Sequence, residues 1–195
     1  MDSSSLETDI RESIAAKERL LAGDLTPLMD LLARARATIE NGGRLFFCGN
    51  GGSACDAAHA ACELTGWFLD KNRGALPAMA LGHETPTATA IANDSGYEQV
   101  FARQLEGLGR AGDLLVGIST SGGSANIVAT LEAAKRLGIT AVALTGEAGG
   151  ACAQLADLWI GVPSTSTPRI QECHLLIVHL LCGYLERVFS ATDAV

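Results

Sequence analysis

Two side chains suited to chemistry, His59 and Glu63, stand four residues apart in an alanine-rich stretch. Residues at this spacing lie on the same face of a helix, so the imidazole and the carboxylate would point in the same direction. Both groups transfer protons, and both bind zinc. The pair therefore predicts a reactive site on one face of a helix.

A glycine-rich turn, Gly49–Ala54 (GNGGSA), directly precedes that helix and follows the short apolar run Leu45–Cys48. The order strand, turn, helix directs the first N–H groups of the helix towards one point, where they have no partners inside the helix. The positive end of the helix dipole adds to the attraction for anions. We therefore predict that this turn binds a phosphate group close to the His/Glu face.

The same turn also matches the pattern G-x-G-x-x-A, which is typical of dinucleotide-binding proteins. That motif requires an acidic residue roughly 20 positions further on, whereas Glu84 lies about 30 positions on. A single match of this kind has low specificity. We therefore expect no nucleotide cofactor.

A second loop, Ser119–Ser124 (STSGGS), places four hydroxyl groups between an apolar run and a helical pattern. Hydroxyls donate hydrogen bonds to phosphate oxygens, and glycines let the backbone come close to a ligand. A capped turn would explain the serine at the start of the next helix, but not all four hydroxyls. The loop therefore predicts the main phosphate contact.

The long apolar helix near the C-terminus contains Gln171, His174 and His179. Gln171 and His179 share one stripe of this helix, whereas His174 points about 140° away from His179 at roughly 100° per residue. A histidine in such an apolar run is more often a core residue than a catalyst. The glutamine on the same stripe favours a site for His179, but no motif links it to the His/Glu pair, and both interpretations stay open.

Composition and charge argue against several classes of protein. The chain has 195 residues and a formal net charge of −8, whereas a surface that binds nucleic acid needs clustered Lys and Arg. The N-terminus lacks the apolar segment of a signal peptide, and no apolar run reaches the roughly 18 residues of a membrane span. We therefore expect no nucleic-acid partner and no membrane.

The cysteines form no C-x-x-C pair and lie within apolar patterns. This arrangement favours buried, reduced thiols over a disulfide framework or a zinc knuckle, and it predicts a cytoplasmic protein. The six residues are Cys48, Cys55, Cys62, Cys152, Cys173 and Cys182.

From Arg44 onwards, continuously apolar runs alternate with amphipathic helical patterns, which indicates a parallel sheet covered by helices on both faces. We predict an α/β fold, a three-layer sandwich with a five-stranded parallel sheet of the flavodoxin-like or Rossmann-like type. A single domain would span residues 1–195, with an N-terminal helical extension at 1–41 and the α/β core at 42–195.

The strands of this fold are predicted from the apolar runs and the helices from the periodic stretches between them. The N-terminal helices are expected to pack outside the sheet or against another subunit. Strands are predicted at 44–48, 76–81, 113–118, 140–145 and 158–162, and helices at 3–22, 26–41, 53–66, 86–92, 97–108, 124–137, 150–156 and 167–189.

Five stretches carry a resemblance to a known family: GNGGSACDAAHAACELTG, LPAMAL, IANDSGYEQVFARQLEGLGRAGDLLVGISTSGGSANIV, VALTGEAGG and RIQECHLLIVHLLC. They follow one another in uninterrupted order over residues 42–189. Together they resemble the sedoheptulose 7-phosphate isomerase (phosphoheptose isomerase) family of the sugar isomerase (SIS) domain superfamily. The sequence departs from the family pattern at Trp67, Gly123 and Pro168.

The resemblance implies an aldose–ketose isomerase that converts sedoheptulose 7-phosphate into D-glycero-D-manno-heptose 7-phosphate, the first step of activated heptose biosynthesis. The substrate is then a phosphorylated seven-carbon sugar. The resemblance also implies a homotetramer with active sites at subunit interfaces and one zinc ion per subunit.

The resemblance further implies a role for each matching residue. Glu63 and His179 form the acid/base pair, and the zinc ligands fall on His59, Glu63, Gln171 and His179. The substrate contacts fall on Asn50, Gly51, Gly52, Ser53, Glu63, Asn93, Asp94, Ser119, Thr120, Ser121, Ser124 and Gln171. In the reaction that we expect, Glu63 removes the C1 proton and His179 completes the transfer through an enediol(ate).

Two alternatives remain at this point. Some SIS modules are not enzymes and sense phosphosugars or bind a protein partner, and these can lack the glutamate and the late histidine. Glu63 and His179 are both present, which favours an enzyme. An isomerase for a different sugar phosphate is the other alternative, because nothing in the two loops specifies seven carbons.

Overall fold

The computed structural model describes residues 3–190, which form five β-strands and eight α-helices. The predicted helix at 97–108 is a short 3₁₀ helix (Tyr97–Gln99) followed by an α-helix. The strands are β1 (Leu45–Gly49), β2 (Ala78–Ala80), β3 (Leu114–Ser119), β4 (Thr140–Gly146) and β5 (Leu158–Val162), and the helices are α1 (Ser3–Ala22), α2 (Thr26–Glu40), α3 (Gly52–Thr65), α4 (Thr85–Ser95), α5 (Val100–Leu108), α6 (Ala125–Leu137), α7 (Gly150–Leu155) and α8 (Thr167–Ser190).

The five strands are parallel, and their order in the sheet is β2-β1-β3-β4-β5. The chain runs from β1 to one edge of the sheet and then returns to place β3 on the other side of β1. The loops after β1 and β3 therefore lie side by side at the carboxyl edge of the sheet. This is the topological switch point, where open α/β sheets bind ligands, and the predicted α/β sandwich is confirmed.

Helices cover both faces of the sheet. On one face α1, α2, α3 and α8 pack against Leu45, Phe47 and Val116. On the other face α5, α6 and α7 pack against Phe46 and Leu115, because successive side chains of a strand point to opposite faces. The helices α3 and α8, which carry the predicted catalytic residues, thus lie in one layer and contact each other.

The edge strands are more exposed than their apolar sequences predict. Met79 in β2 is 43% exposed and Trp159 in β5 is 41% exposed. Each edge strand has a neighbour on one side only, so its side chains have less cover. Burial on both faces is therefore a wrong expectation for β2 and β5, whereas β1 and β3 are buried along their whole length.

An apolar stripe runs along the outer side of α1. Leu6, Ile10, Ile14 and Leu21 are 52%, 61%, 51% and 71% exposed. The opposite side of α1 carries the buried Ala16 and packs on α8. The helix thus packs outside the sheet as predicted, and it presents apolar side chains on both of its faces.

The helix α8 is long and apolar enough to cross a membrane by length and composition, the only such helix within residues 3–190. Half of its apolar window is buried inside the protein, with Ile177 and Leu181 in the core. A central helix of a globular domain has the same properties. The nearly continuous apolar sequence of this helix predicts burial on all sides, and that prediction is wrong, since Leu180 is 43% exposed.

Candidate active site

The imidazoles of His59 and His179 meet where α3 packs against α8. Their Nε2 atoms are 2.9 Å apart, and the rings meet edge to face with centroids 5.1 Å apart. At this distance one ring nitrogen of a neutral pair donates a hydrogen bond to the other. The two histidines, which no sequence motif could link, therefore share one site.

Glu63 lies beside His59 on the same face of α3, as the spacing predicts. Its Oε1 atom is 3.7 Å from Nδ1 of His59, and the two side chains are 18% and 37% exposed. This separation is too long for a hydrogen bond, but the carboxylate favours a proton on the nearer ring nitrogen. His59 thus lies between Glu63 and His179, with one ring nitrogen towards each.

Gln171 lies two turns before His179, and its amide reaches the start of α3. A Cβ atom on Gly52 would lie 2.3 Å from Nε2 of Gln171, so the bare glycine makes room for this amide. Among residues 3–190, no hydrogen bond joins Gln171 to Glu63 or to either histidine. Gln171 therefore covers the first glycine-rich turn and does not join the histidine pair.

The four residues that the resemblance implies as zinc ligands therefore do not point at one common position. His59 and His179 converge through Nε2, whereas Glu63 faces the other nitrogen of His59 and Gln171 lies over Gly52. In the described chain, no three His, Cys, Asp or Glu side chains form a group that would hold a metal ion. Coordination by all four would require Glu63 and Gln171 to rotate.

A buried ion pair supports the C-terminal end of α3. Arg73 is 5% exposed and donates to the backbone carbonyls of Glu63 and Leu64 at 2.8 and 2.9 Å, which have no partners further along the helix. Its Nε atom lies 3.5 Å from Oε2 of Glu186 in α8. The pair therefore fixes the helix that carries Glu63 to the helix that carries His179.

The loop that follows α3 is held by the same carboxylate. Glu186 accepts hydrogen bonds from the N–H groups of Phe68, Leu69 and Asp70 at 2.9, 2.8 and 3.0 Å. Burial alone would raise the pKa of Glu186, but these donors and the guanidinium hold it below its usual value. The loop places the ring of Phe68 against His179, with centroids 5.5 Å apart. No sequence pattern distinguished these supporting residues from ordinary loop residues.

The turn after β1 leaves the N-terminus of α3 open to solvent. No side chain caps this helix, Gly51 adopts a φ of 55°, and both Gly51 and Gly52 are exposed. Ser53 is buried, because its backbone packs on Gly49. The N–H groups of Ser53, Ala54 and Cys55 donate to carbonyls of the same turn, so an anion at this helix N-terminus would meet the exposed Gly51 and Gly52.

The hydroxyls of the loop after β3 do not cap the next helix. Ser124 Oγ lies 2.9 Å from Ser119 Oγ, and no side chain caps α6, so the predicted cap by Ser124 is wrong. Ser121 is exposed, and its Oγ accepts a hydrogen bond from the N–H of Gly123 at 3.2 Å. Thr120 is half-buried. A second uncapped helix N-terminus therefore faces the carboxyl edge of the sheet.

The loop after β3 rests on the loop after β4. A Cβ atom on Gly122, whose φ is 67°, would lie 2.1 Å from the carbonyl oxygen of Gly149. The carbonyl of Gly122 accepts a hydrogen bond from the N–H of Cys152 at 2.9 Å. Only glycine permits this approach of two backbones, and this gives the VALTGEAGG stretch a supporting role.

A hydrogen-bond network joins the two loops through Asn50, a predicted substrate contact, and through Asn126 and Tyr97, which the sequence did not single out. Asn50 and Asn126 exchange amide hydrogen bonds of 2.9 and 2.8 Å, and Tyr97 donates to Oδ1 of Asn50 at 2.9 Å. Asn126 is buried in the first turn of α6. Its polar type next to a predicted phosphate loop was the signal that could have identified it.

Asn93 and Asp94 lie in the last turn of α4 and are exposed. Nδ2 of Asn93 donates to Oδ1 of Asp94 at 2.7 Å. Gly96, with a φ of 92°, then ends the helix. Within the described residues, the hydrogen bond that this predicted pair makes is between its own two side chains.

His174 is a core residue that takes no part in this site. It is completely buried, its Nε2 lies 3.2 Å from the carbonyl oxygen of Thr145, and its Nδ1 has no partner. Burial lowers the pKa of His174 to about 4. The neutral form is therefore the stable one inside the fold.

Four of the six cysteines are buried as predicted, and all six are free thiols. The prediction is wrong for Cys55 and Cys62, which are exposed. They lie on the outer side of α3. The sequence did not show which side of this helix faces the core, because most of its residues are small and apolar.

Known proteins resemble this chain over most of its length. The family model of the SIS domain matches residues 8–146. The phosphoheptose isomerase of Rhodospirillum rubrum is 46% identical over 184 residues, which are 93% of this chain and 97% of that protein. The chain belongs to the phosphoheptose isomerase family. The phosphoheptose isomerase of Helicobacter pylori strain P12 is also 46% identical, over 93% of this chain and 96% of that protein.

Two solved structures of the phosphoheptose isomerase family have the same architecture. The enzyme from Neisseria gonorrhoeae has a TM-score of 0.89 and 40% identity, and the match covers 94% of this chain and 98% of that chain. The enzyme from Francisella tularensis has a TM-score of 0.92 and 36% identity over 96% and 100% of the two chains. The sheet and its helices are therefore those of the family.

Proposed function

We propose that the chain is an aldose–ketose isomerase that converts sedoheptulose 7-phosphate into D-glycero-D-manno-heptose 7-phosphate, the first step of activated heptose biosynthesis. This proposal depends mainly on one observation: Glu63, His59 and His179 lie in a row. The row lies next to the N-termini of α3 and α6, which no side chain caps. Membership of the phosphoheptose isomerase family, over almost the whole chain, supports the substrate.

The reaction moves a proton from C1 to C2 of the sugar through an enediol(ate), so it needs a base and an acid close to this edge. Glu63 is the base that removes the C1 proton, and its low exposure keeps the carboxylate out of bulk water. His179 is the acid that delivers a proton to C2, while the hydroxyl proton passes from O1 to O2. The proton that Glu63 has taken returns to His179, through His59 or water, before the next turnover. Phe68 fixes the ring of His179 from the side.

The phosphate of the substrate binds at the open N-terminus of α6, and the turn after β1 supplies the second anion contact. The helix dipoles compensate for a net charge of −8 that otherwise opposes anion binding. The amide of Gln171 reaches the sugar from above Gly52. The proposed substrate contacts are Asn50, Gly51, Gly52, Ser53, Glu63, Asn93, Asp94, Ser119, Thr120, Ser121, Ser124 and Gln171.

A zinc ion fits part of this site. Imidazole and carboxylate are usual zinc ligands, and two Nε2 atoms that converge to 2.9 Å suit a shared ion. His59 and His179 would hold the ion, and Glu63 and Gln171 would complete its coordination after rotating. When bound, zinc would supply Lewis-acid polarisation of the carbonyl. Zinc content after dialysis checks this: the protein should retain one ion per chain, and His59→Gln should retain less.

The exposed stripe of α1 and the open side of α8 support a homotetramer. Ile10, Leu21 and Leu180 would lose their contact with water in an assembly, and apolar area buried in this way stabilises association. The surface near Leu180 adjoins His179, so an assembled neighbour would border the active site. The free thiols favour the cytoplasm as the compartment.

Turnover of the purified protein tests the proposed function. The protein should form an aldose from sedoheptulose 7-phosphate, and the assay is repeated after treatment with a chelator to show whether a metal contributes. Turnover of a different ketose phosphate, with none of sedoheptulose 7-phosphate, would retain the isomerase and reject the substrate. Binding of the sugar phosphate without turnover would favour a non-catalytic sensor.

A further inference from the structure

The amide of Asn50 is held in a single orientation by its neighbours. Its Oδ1 atom accepts hydrogen bonds from Nδ2 of Asn126 at 2.8 Å and from the hydroxyl of Tyr97 at 2.9 Å. Its Nδ2 atom donates one hydrogen to Oδ1 of Asn126 at 2.9 Å. An amide oxygen has two lone pairs and an amide nitrogen has two hydrogens. Asn50 therefore has no acceptor left, and one N–H remains to meet a ligand.

The supports of Asn50 differ in how firmly the fold holds them. Asn126 is 3% exposed, and its backbone carbonyl accepts a hydrogen bond from Thr130 in the next turn of α6. Tyr97 is 59% exposed and follows Gly96, whose φ of 92° directs the chain back towards the loops. Loss of the tyrosine hydroxyl would therefore leave one lone pair of the Asn50 oxygen free to act as an acceptor, without opening the core.

A small cavity borders the side chain of Asn50. It measures about 120 Å³ and is lined by Asn50, Gly51, His83 and Tyr97, among others. The exposed N-terminus of α3 borders it through Gly51. Backbone N–H groups, an amide N–H and an imidazole can all donate hydrogen bonds to an anionic oxygen.

We infer that Tyr97 is a positioning residue that holds Asn50 as a pure hydrogen-bond donor to a phosphate oxygen of the substrate. Asn50 offers no acceptor to a sugar hydroxyl that needs to donate a hydrogen bond. The amide therefore favours an oxygen that only accepts hydrogen bonds, such as a phosphate oxygen. The inference rests on the proposed function for the identity of the substrate. The affinity of the site for inorganic phosphate can be measured without assuming that function.

The test measures the binding of inorganic phosphate by calorimetry together with KM and kcat for sedoheptulose 7-phosphate. Tyr97→Phe should weaken phosphate binding roughly three- to tenfold, the usual effect of one hydrogen bond. It should raise KM by a similar factor and change kcat less. Tyr184→Phe is the matched control, because its hydroxyl bonds to Arg36 away from the loops, and it should bind phosphate as the unmodified protein does.

A double variant separates positioning from a general structural effect. Asn50→Asp replaces the donor with an acceptor and should weaken phosphate binding more than Tyr97→Phe does, while leaving the affinity conferred by the loop after β3 measurable. If Tyr97 acts through Asn50, then Tyr97→Phe has no further effect on phosphate binding in the Asn50→Asp background. Unchanged phosphate affinity in Tyr97→Phe alone, or losses that multiply in the double variant, would overturn the inference.

The proposed function and the inference fail in different ways. An unmodified protein that binds phosphate but does not isomerise the sugar rejects the function, and the phosphate affinities of the variants still decide the role of Tyr97. An unmodified protein that binds no phosphate rejects the inference directly.

Discussion

The Nε2 atoms of His59 and His179 lie 2.9 Å apart, although 120 positions separate the two residues in the chain. The contact exists because α3 and α8 pack in the same layer on the sheet. Glu63 at Nδ1 of His59 extends it into a row of three ionisable groups. The row brings three proton carriers together, as an isomerase requires, and a proton could pass between Glu63 and His59 only if their 3.7 Å separation shortened.

Glu63→Gln and His179→Gln should each abolish isomerisation and leave the protein folded. Each change keeps the shape of the side chain nearly constant and removes a proton carrier, so kcat should fall by roughly 10²- to 10⁴-fold. Steady-state kinetics and circular dichroism check the two effects. Cys62→Ser is the control, because Cys62 is exposed next to Glu63 and should keep full activity. Near-normal turnover in either purified glutamine variant excludes the acid/base assignment.

The sheet and its helices could be predicted from the sequence because they depend on local periodicity. Apolar runs such as Leu45–Cys48 are strands in the structure, and the amphipathic stretches between them are helices. The strand order could not be read in this way, because it depends on which strand pairs with which. The resemblance to a family implied a five-stranded parallel sheet and likewise gave no strand order.

The candidate site was predictable where it follows local geometry, as in the spacing of His59 and Glu63. Contacts made by single residues were not predictable. Arg73 has the sequence context of an ordinary loop cation, and it is buried where its guanidinium donates to the carbonyls of Glu63 and Leu64 at the end of α3. Tyr97 reads as an exposed aromatic residue, and its role depends on one hydrogen bond to Asn50.

Gly52→Ala should lower activity without unfolding the protein. Gly52 does not have a positive φ, so alanine fits the backbone, but its Cβ would lie 2.3 Å from Nε2 of Gln171 and would displace that amide. If Gln171 binds the substrate, KM should rise about tenfold or more, the size of one hydrogen bond to a ligand. Kinetics and thermal denaturation provide the two readouts.

The matched control for this change is Gly107→Ala on the exposed side of α5. A Cβ atom there meets nothing within 4 Å. It should therefore stabilise the helix by about 0.5–1 kcal/mol and leave KM unchanged. A normal KM in Gly52→Ala as well would remove Gln171 from the substrate site.

Ile10→Glu should dissociate the proposed homotetramer. Ile10 is 61% exposed within one chain, so the folded protomer loses little, whereas an interface would have to bury a carboxylate at a high cost. Light scattering after gel filtration should show a smaller species. Thr8→Glu, on another side of α1, should leave the mass unchanged, and an unchanged mass in Ile10→Glu would mean that this stripe does not mediate assembly.

His174 should make the protein sensitive to mild acid. Burial lowers its pKa to about 4, below the usual value near 6.5. Between these two values the unfolded chain binds a proton that the folded protein does not bind. The contribution to stability is therefore complete above about pH 6.5 and decreases as the pH falls towards 4.

Urea denaturation at several pH values measures this effect. The free energy of unfolding should fall by about 1–2 kcal/mol between pH 6.5 and 5. His174→Gln should reduce the slope of the unfolding free energy against pH by the amount that the binding of one proton contributes. His83→Gln serves as the control, since His83 is exposed, and it should keep the slope. An unchanged slope in His174→Gln would mean that other groups cause the acid sensitivity.

Arg73→Met should destabilise the fold far more than the loss of a surface ion pair. The side chains of Arg73 and Glu186 are 1% and 6% exposed, and removal of one partner leaves a buried charge uncompensated, at a cost of about 3–5 kcal/mol. Arg11→Met breaks the exposed pair with Glu7, whose side chains are 74% and 61% exposed, and should cost less than about 1 kcal/mol. Urea denaturation compares the two variants. Equal losses would mean that the buried pair does not hold α3 against α8, and the fixed position of His179 against Phe68 would then need another cause.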